Sequence, residues 1–266
     1  MAAEPVREAW GVGDAYERYV GRWSRLVAGE FLRWLAPPAN HAWADVGCGT
    51  GALTSAILGV HGPSSVWGID ASEPFVAQAR QQITDTRVRF ETGDATRLPW
   101  ESATRDVAVS GLVLNFVKDP DAMVREMARI TKPAGRVAAY VWDYAGGMEM
   151  MRHFWDAAIA VSPDDRRLDQ AERFPLCRPE PLQALFARAG LRAITVRAID
   201  VPMVFRDFDD FWTPLLGRTG AAPTYLASVD DDVRERIRMR LQARLAVAPE
   251  KPIALTARAW AVQGTV

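Results

Sequence analysis

The chain has 266 residues, of which 49% are hydrophobic and 24% are charged, and its formal net charge is -1. This composition excludes a disordered chain, a collagen-like repeat and a disulfide-rich scaffold. The near-neutral balance argues against a nucleic acid partner, because gripping phosphates needs excess positive charge. We find no apolar stretch of about 18 residues and no signal peptide, so we expect a cytoplasmic protein without membrane contact. The two cysteines and three histidines show no metal-ligand spacing, and we predict no metal site.

Strand-like and helix-like segments alternate along the chain, which is typical of an α/β sheet. The predicted elements, in chain order, are a helix over 23–35, a strand over 43–46, a helix over 51–58, a strand over 66–69, a helix capped by Ser72, strands over 88–91 and 106–114, a helix over 121–130, a strand over 136–142, a helix over 179–189, and strands over 191–204 and 254–263. The pattern therefore predicts seven strands.

Two segments interrupt this alternation, namely residues 146–178 after the fifth strand and residues 206–249 between the last two strands. Both contain helical patterns, with apolar faces formed by Met150, Met151, Phe154, Trp155 and Ala158 in the first and by Val233, Ile237, Leu241 and Leu245 in the second. Insertions of this size commonly lie over the carboxyl ends of the strands, where ligands bind. We therefore predict a single domain over 1–266 with helical cap elements at about 1–25, 146–178 and 206–249.

A glycine-rich loop, Asp45-Val46-Gly47-Cys48-Gly49-Thr50-Gly51, lies between a predicted strand and a predicted helix. Glycines there allow positive φ and close approach of a ligand, and the helix start offers free N–H groups. The loop alone is ambiguous, because Gly47, Gly49 and Ala52 also satisfy the loose dinucleotide-binding pattern. We interpret Cys48 as a small filler of the loop and not as a nucleophile.

Two acidic residues follow the next two strands. Asp70 lies 23 residues after Gly47, where a carboxylate can accept hydrogen bonds from both ribose hydroxyls of a nucleoside. Asp94, in Gly93-Asp94-Ala95, can accept from an adenine amine, and Ala95 leaves room for the ring. This second acid favours a S-adenosylmethionine (SAM) site over an NAD site.

The motifs DVGCGTG, GIDAS, GDA, LPW, the strand that begins at Asp106 and RITKPAGRV together resemble class I SAM-dependent methyltransferases. The similarity is to the group of ubiquinone/menaquinone-biosynthesis and small-molecule methyltransferases, and it covers about residues 15–145. It implies a Rossmann-like, mostly parallel sheet of seven strands with the last strand antiparallel and helices on both faces. Two departures are Ala134, where the family often has glycine before Gly135, and Asn115, where it often has histidine.

The resemblance also implies the cofactor, SAM, and the residues that bind it. The glycine loop, Asp70 and Asp94 would lie along the cofactor. Asp45, and the main chain at Ser110 and Gly111, would support its methionine end. The N-terminal segment from Tyr16 would close over it. The full implied set is Tyr19, Arg22, Trp23, Asp45, Gly47, Cys48, Gly49, Gly51, Asp70, Ala71, Gly93, Asp94, Ala95, Ser110 and Phe116.

The leading hypothesis is methyl transfer from SAM to a small-molecule acceptor, apolar or aromatic, by in-line displacement that depends on positioning. No catalytic residue is assigned; the candidates are His153, Tyr144 and Asn115. One alternative is a fold that binds SAM for sensing or for a non-methylating reaction. A second is an NAD-dependent Rossmann oxidoreductase. The sequence leaves the acceptor, the methylated atom and the oligomeric state open.

Overall fold

A computed structural model describes residues 17–217, 219–245 and 252–266, so the predicted contact Tyr16 lies outside the described residues. Its strands are β1 Ala42–Val46, β2 Ser65–Asp70, β3 Val88–Thr92, β4 Arg105–Gly111, β5 Thr131–Trp142, β6 Arg192–Phe205 and β7 Ile253–Thr265. They form one seven-stranded sheet in the order β3-β2-β1-β4-β5-β7-β6. The pairs from β3 to β5 are parallel, and β5 pairs with β7 in antiparallel orientation. The predicted Rossmann-like sheet with an antiparallel last strand is confirmed.

The helices have the following bounds. They are α1 Arg22–Leu35, α2 Ala52–His61, α3 Glu73–Gln82, α4 Pro120–Ile130, α5 Glu149–Val161, α6 Gln170–Arg173, α7 Pro179–Arg188, α8 Phe208–Trp212, α9 Ala221–Ser228 and α10 Asp231–Leu245. A π-helical turn over Glu17–Gly21 precedes α1, and short 3-10 turns cover Leu114–Phe116, Pro163–Leu168 and Thr213–Leu216.

Local chemistry explains where these elements begin and end. The Asp119 carboxylate accepts the N–H of Ala122 at 2.8 Å and caps α4, whose first residue is Pro120. Ser72 occupies the predicted N-cap position of α3, but its side chain makes no capping hydrogen bond among the described residues. The fourth strand is shorter than predicted, because Leu112 has a left-handed φ of 61° that ends the extended backbone.

The chain divides into two compact units. The sheet unit comprises Arg25–Trp142, Leu176–Ile199 and Ala259–Val266. The helical unit comprises Met1–Ser24, Asp143–Pro175 and Asp200–Arg258. Most residues of the two predicted cap segments belong to the helical unit, and the single domain with a cap stays a prediction. Within the described ranges, no helix combines the length and apolar character that crossing a bilayer requires.

Each unit has its own buried core. In the sheet unit, Phe31 of α1 packs on Tyr140 of β5 with ring centroids 4.7 Å apart. In the helical unit, α5 buries all five apolar residues that the sequence pattern placed on its inner face. Helix α10 packs against α5 and buries Ile237 and Leu241. The two helical faces are therefore as predicted, and burial of their apolar area stabilises the unit.

The turn between α4 and the paired part of β5 differs in detail from the prediction. The sequence suggested that Gly135 preserves the turn, but Ala134 is the residue with a positive φ, at 65°. Gly135 is required for space, because a Cβ atom there would lie 2.7 Å from the carbonyl oxygen of Asp106. Ala134 therefore carries the left-handed strain, which costs an alanine about 1 kcal/mol or more.

The first testable prediction concerns this strain. The substitution Ala134→Gly should raise the free energy of unfolding by about 0.5–1 kcal/mol, because relief of strain exceeds the added entropy of the unfolded chain. Urea unfolding measures the effect. Ala184→Gly, at an exposed position inside α7, is the matched control and should lower stability by about 1 kcal/mol. Equal losses in both variants would contradict the assignment of strain to Ala134.

Candidate cofactor site

The glycine loop joins β1 to α2, and two of its glycines are required by packing. Gly47 has a φ of 77°, and a Cβ atom there would lie 2.6 Å from Val113 Cγ1. Gly51 has a φ of 88°, and its Cβ would lie 2.7 Å from Ile83 Cδ1. Both the left-handed backbone and the close neighbours exclude a side chain. These two positions therefore shape the turn itself.

Gly49, between them, has a different environment. Its φ is 52°, but a Cβ atom there would meet no heavy atom of the described chain within 4 Å. The space next to this residue is open. The loop is fixed beneath it, because the N–H groups of Gly47 and Cys48 both donate to the carbonyl of Ile69, at 2.7 and 3.0 Å. A ligand can thus approach a backbone whose shape is already set.

Asp70, at the end of β2, connects this loop to the next turn. Its Oδ2 accepts the N–H of Gly49 at 2.9 Å, and its Oδ1 accepts the N–H of Ser72 at 2.9 Å. An ionised carboxylate has about four lone-pair sites, so two sites remain for further donors. Ala71, which lies between Asp70 and Ser72 in the sequence, is exposed. Asp70 can therefore hold the start of α3 and bind a ligand at the same time.

Asp94 follows β3 and lies exposed beside this turn. The N–H of Gly93 donates to the backbone carbonyl of Asp70 at 2.9 Å, which ties the two acid-bearing turns together. Asp94 Oδ1 accepts the N–H and hydroxyl of Thr96, at 2.8 and 2.7 Å, and these bonds lower the pKa of Asp94. Its Oδ2 is open to another donor. Ala95, half-buried, follows it.

Asp45 lies at the end of β1 and is fully buried. Its Oδ2 accepts the hydroxyl of Thr54 at 2.7 Å, while its Oδ1 has no hydrogen-bond partner among the described residues. Burial, opposed by the Thr54 bond and aided by the negative charge of Asp70, raises the pKa of Asp45 to about 7. This acid is therefore partly protonated near neutral pH.

The end of β4 contributes two more polar groups without partners. Ser110 Oγ and Asn115 Nδ2 are buried and make no hydrogen bond with the described part of the chain. Phe116, one residue later, is 40% exposed. Buried polar groups in proteins are normally satisfied, so each exception needs an explanation such as a ligand.

These features lie at the carboxyl ends of four neighbouring parallel strands, in the order β3-β2-β1-β4. The carboxylates of Asp94 and Asp70 lie after β3 and β2, and the open backbone of Gly49 lies after β1. The polar atoms without partners belong to Asp45 at the end of β1 and to Ser110 and Asn115 at the end of β4. Ligands of open α/β sheets bind at this edge. The set fits an adenosine with a polar, charged tail, since ribose and adenine both present donors to carboxylates.

Two neighbouring side chains belong to the core. Cys48 packs in a cluster with Val76, Ala79 and Phe90, and burial raises the pKa of its thiol. Only its backbone faces the loop, which agrees with its interpretation as a filler. Trp100 is 5% exposed and stands edge-on to Trp67, with centroids 5.9 Å apart. Its packing is therefore that of a core residue.

Sequence analysis missed the residues that hold the LPW segment in place. Glu126 accepts the N–H of Leu98 at 2.8 Å, and Arg129 donates to the carbonyls of Leu98 and Trp100 at 3.1 and 2.8 Å. The two side chains also pair with each other, which lowers the pKa of Glu126. The acid and arginine three residues apart on α4 were the available signal.

The remaining predicted contacts lie in the helical unit. The hydroxyl of Tyr19 donates to Met151 Sδ at 3.0 Å. Trp23 packs on Phe205 with centroids 5.1 Å apart. The Arg22 guanidinium lies 4.0 Å from the Trp23 ring centroid, and its Nε and Nη2 have no acceptor within the described ranges. Their part in cofactor binding stays a prediction.

The helical unit also holds two of the three catalytic candidates. His153 Nδ1 accepts from Arg244 Nε at 2.8 Å, so this ring nitrogen links α5 to α10. Burial, and then the charge of Arg244, lower the pKa of His153. Tyr144 is buried, with its ring 5.6 Å from that of Phe174. Both side chains have structural contacts, whereas Asn115 presents an unpartnered amide.

Comparison with known proteins identifies the chain's relatives. Residues 44–139 match the family model of a methyltransferase domain. A demethylmenaquinone methyltransferase of Lactobacillus johnsonii is 33% identical over 113 residues, which are 41% of this chain and 46% of that protein. The chain thus matches about half the length of this curated relative.

Two solved structures share the fold. A phosphoethanolamine N-methyltransferase 2 of Haemonchus contortus, in complex with phosphomonomethylethanolamine and S-adenosylhomocysteine, has a TM-score of 0.59 at 19% identity, and the match covers 95% of this chain and 56% of that one. A 4+2 cyclase has a TM-score of 0.55 at 18% identity, covering 97% of this chain and 86% of the cyclase.

The second prediction concerns the buried acid. Because the folded state keeps the Asp45 proton to a higher pH than the unfolded state, the contribution of Asp45 to the free energy of unfolding should fall as pH rises from about 4 to about 7. Asp45→Asn keeps an acceptor for Thr54 but cannot titrate, so its curve should lack this contribution. Urea midpoints across this pH range measure both. Parallel curves would contradict the raised pKa.

The third prediction concerns His153, whose contribution to stability changes with pH in the opposite direction to that of Asp45. The folded-state pKa of His153 is lowered, so its stabilising contribution is complete above the unfolded pKa of about 6.5 and is lost as pH falls. His153→Gln retains an acceptor for Arg244 without the titration. Its stability relative to the parent chain should therefore rise between about pH 7 and pH 5, measured by urea unfolding. A pH-independent difference would rule out this linkage.

Proposed function

We propose that this chain, whose residues 44–139 match a methyltransferase domain, is a class I SAM-dependent methyltransferase that binds SAM in its sheet unit and methylates a small-molecule acceptor. The observation that carries the proposal is the open, left-handed Gly49 between the Asp70 carboxylate and the end of β1. When bound, the cofactor supplies a methyl group activated by a sulfonium. Everything else required of the protein is binding, orientation and exclusion of water.

Each acid at the edge of the sheet then has a distinct task. The free lone pairs of Asp70 accept the two ribose hydroxyls, while its bonds to Gly49 and Ser72 hold the carboxylate in place. Asp94 Oδ2 accepts from the adenine amine, and Ala95 leaves room for the ring. Asp45 places negative charge beneath the methionine end. The unpartnered hydroxyl of Ser110 and the Phe116 ring complete this end.

The single domain and its cap, over about 1–25, 146–178 and 206–249, remain part of this proposal, and we expect these segments to provide the acceptor-binding groups. Tyr19 and Trp23 give the cap an aromatic lining, and the free N–H edge of Arg22 suits a carboxylate. The residues Tyr144, Phe154, Trp155, Phe174 and Tyr225 make its interior rich in aromatic rings.

We propose an apolar or aromatic acceptor on this basis. The relative from Lactobacillus johnsonii acts, by its name, on demethylmenaquinone, a quinone, which supports this choice. No side chain among the three candidates is required as a base if the acceptor ionises by itself. Asn115 Nδ2 is the group that best suits a positioning contact to an acceptor oxygen.

A second candidate function is a non-methylating reaction or a sensing role on the same site. The fold shared with a 4+2 cyclase supports this alternative, because a fold alone does not specify chemistry. Product analysis separates the two. Transfer of a labelled methyl group to an acceptor supports the methyltransferase, whereas cofactor binding without transfer to any small molecule in a broad acceptor panel supports the alternative.

The fourth prediction tests the cofactor site by calorimetric titration of S-adenosylhomocysteine. We expect micromolar affinity, about -8 kcal/mol, in the parent chain and loss of detectable binding in Asp70→Ala. Asp85→Ala is the matched control, because the Asp85 carboxylate pairs with Arg87 and takes no part in the proposed site. NADH should not bind. Binding of NADH in place of the nucleoside would favour the oxidoreductase, and binding of neither would overturn the proposal.

A further inference from the structure

Asp45 has an unusual position for an acid. It lies two residues before Gly47, at the point where β1 enters the glycine loop, and it is fully buried. The donors that Asp45 meets in the described part of the chain are the hydroxyl and the backbone N–H of the neutral Thr54, and its Oδ1 is left without a partner. A buried carboxylate with only neutral donors from one residue loses far more hydration than these donors return.

The groups that face Asp45 do not neutralise it. On β2, the neighbouring parallel strand, the charged group is Asp70, which has the same sign. On α2 the facing group is Thr54, and the first turn of this helix has no acid. On β4 the register partner of Asp45 is the apolar Val109. The loop itself adds the thiol of Cys48, which burial keeps protonated.

We infer that Asp45 carries a proton in the ligand-free protein and loses it when a cationic nucleoside occupies the glycine loop. The inference rests on the proposed function, since it concerns the same site. A cation there offsets the negative charges of Asp45 and Asp70 in a region of low dielectric, where charges interact strongly. The burial that raises the pKa of Asp45 to about 7 supports the same conclusion.

The step is a simple acid dissociation. The O–H bond of the Asp45 carboxyl breaks, its electron pair stays on the oxygen, and the proton passes to the buffer. No electron transfer is involved. SAM carries an ammonium and a sulfonium against one carboxylate, whereas S-adenosylhomocysteine has no sulfonium and is neutral overall. Asp45 thus makes the site sensitive to the charge that distinguishes cofactor from product.

Calorimetry in buffers of different ionisation enthalpy measures the protons released on binding. The probes are sinefungin, which has an ammonium in place of the sulfonium, and S-adenosylhomocysteine. At about pH 7 we expect sinefungin to release about half a proton more from the parent chain than from Asp45→Asn, and at about pH 8.5 close to none. Its affinity should fall about fivefold between pH 7 and pH 6 in the parent chain alone.

A second pair of variants tests the inference in case Asp45→Asn fails to fold. Thr54→Val removes the hydroxyl that donates to Asp45, so the proton release should move to higher pH. Thr54→Ser keeps this donor and should behave as the parent chain. Equal pH profiles in Thr54→Val and Thr54→Ser would overturn the role of this hydrogen bond, and with it the inference.

The outcomes separate the inference from the function on which it rests. Failure of both probes to bind at any pH would overturn the proposed cofactor site. Binding with equal proton release in the parent chain and Asp45→Asn would overturn the inference alone. Greater release with sinefungin than with S-adenosylhomocysteine is the result we expect. Equal release with both probes would show that Asp45 does not respond to the additional positive charge of the ligand, and would overturn the inference.

Discussion

The carboxylate of Asp70 joins two turns that the chain separates by more than twenty residues. One oxygen accepts the N–H of Gly49 and the other accepts the N–H of Ser72, so the loop after β1 and the turn after β2 share one anchor. Its backbone carbonyl extends this link to Gly93 after β3. Without the carboxylate, Gly49 and the turn at Ser72 would lose their shared side-chain anchor, and only the backbone bonds to Ile69 and to the Asp70 carbonyl would link the strand ends. The position of Gly49 in the candidate site depends on this anchor.

Two acids of the same type serve this site in opposite ways because their donors differ. Asp70 accepts two backbone N–H groups and remains partly exposed, so it can hold a ligand by direct hydrogen bonds. Asp45 is buried with donors from Thr54 alone among the described residues, so its protonation state responds to its surroundings. Neither role is a property of aspartate itself. Both follow from solvation and from the donors that each strand end provides.

Local signals in the sequence predicted much of the fold, because they depend on neighbours along the chain. The alternation of apolar segments predicted all seven strands, and the helical spacing in α5 predicted its buried face. The left-handed conformations of Gly47, Gly49 and Gly51 also follow from residue type. The prediction was less detailed where a residue distant in sequence constrains the backbone. Gly135, for example, is constrained by the carbonyl of Asp106.

The sequence by itself determined the order of elements, the positions where acids follow strands and, through short motifs, the resemblance to class I SAM-dependent methyltransferases. It could not show how each of these acids is solvated or which donors each one meets. Only the tertiary structure decided that Asp45 is buried against Thr54, that His153 accepts from Arg244, and that Glu126 and Arg129 hold the LPW segment. Desolvation and hydrogen bonding depend on which residues meet in space, and these contacts join residues 9 to 91 positions apart.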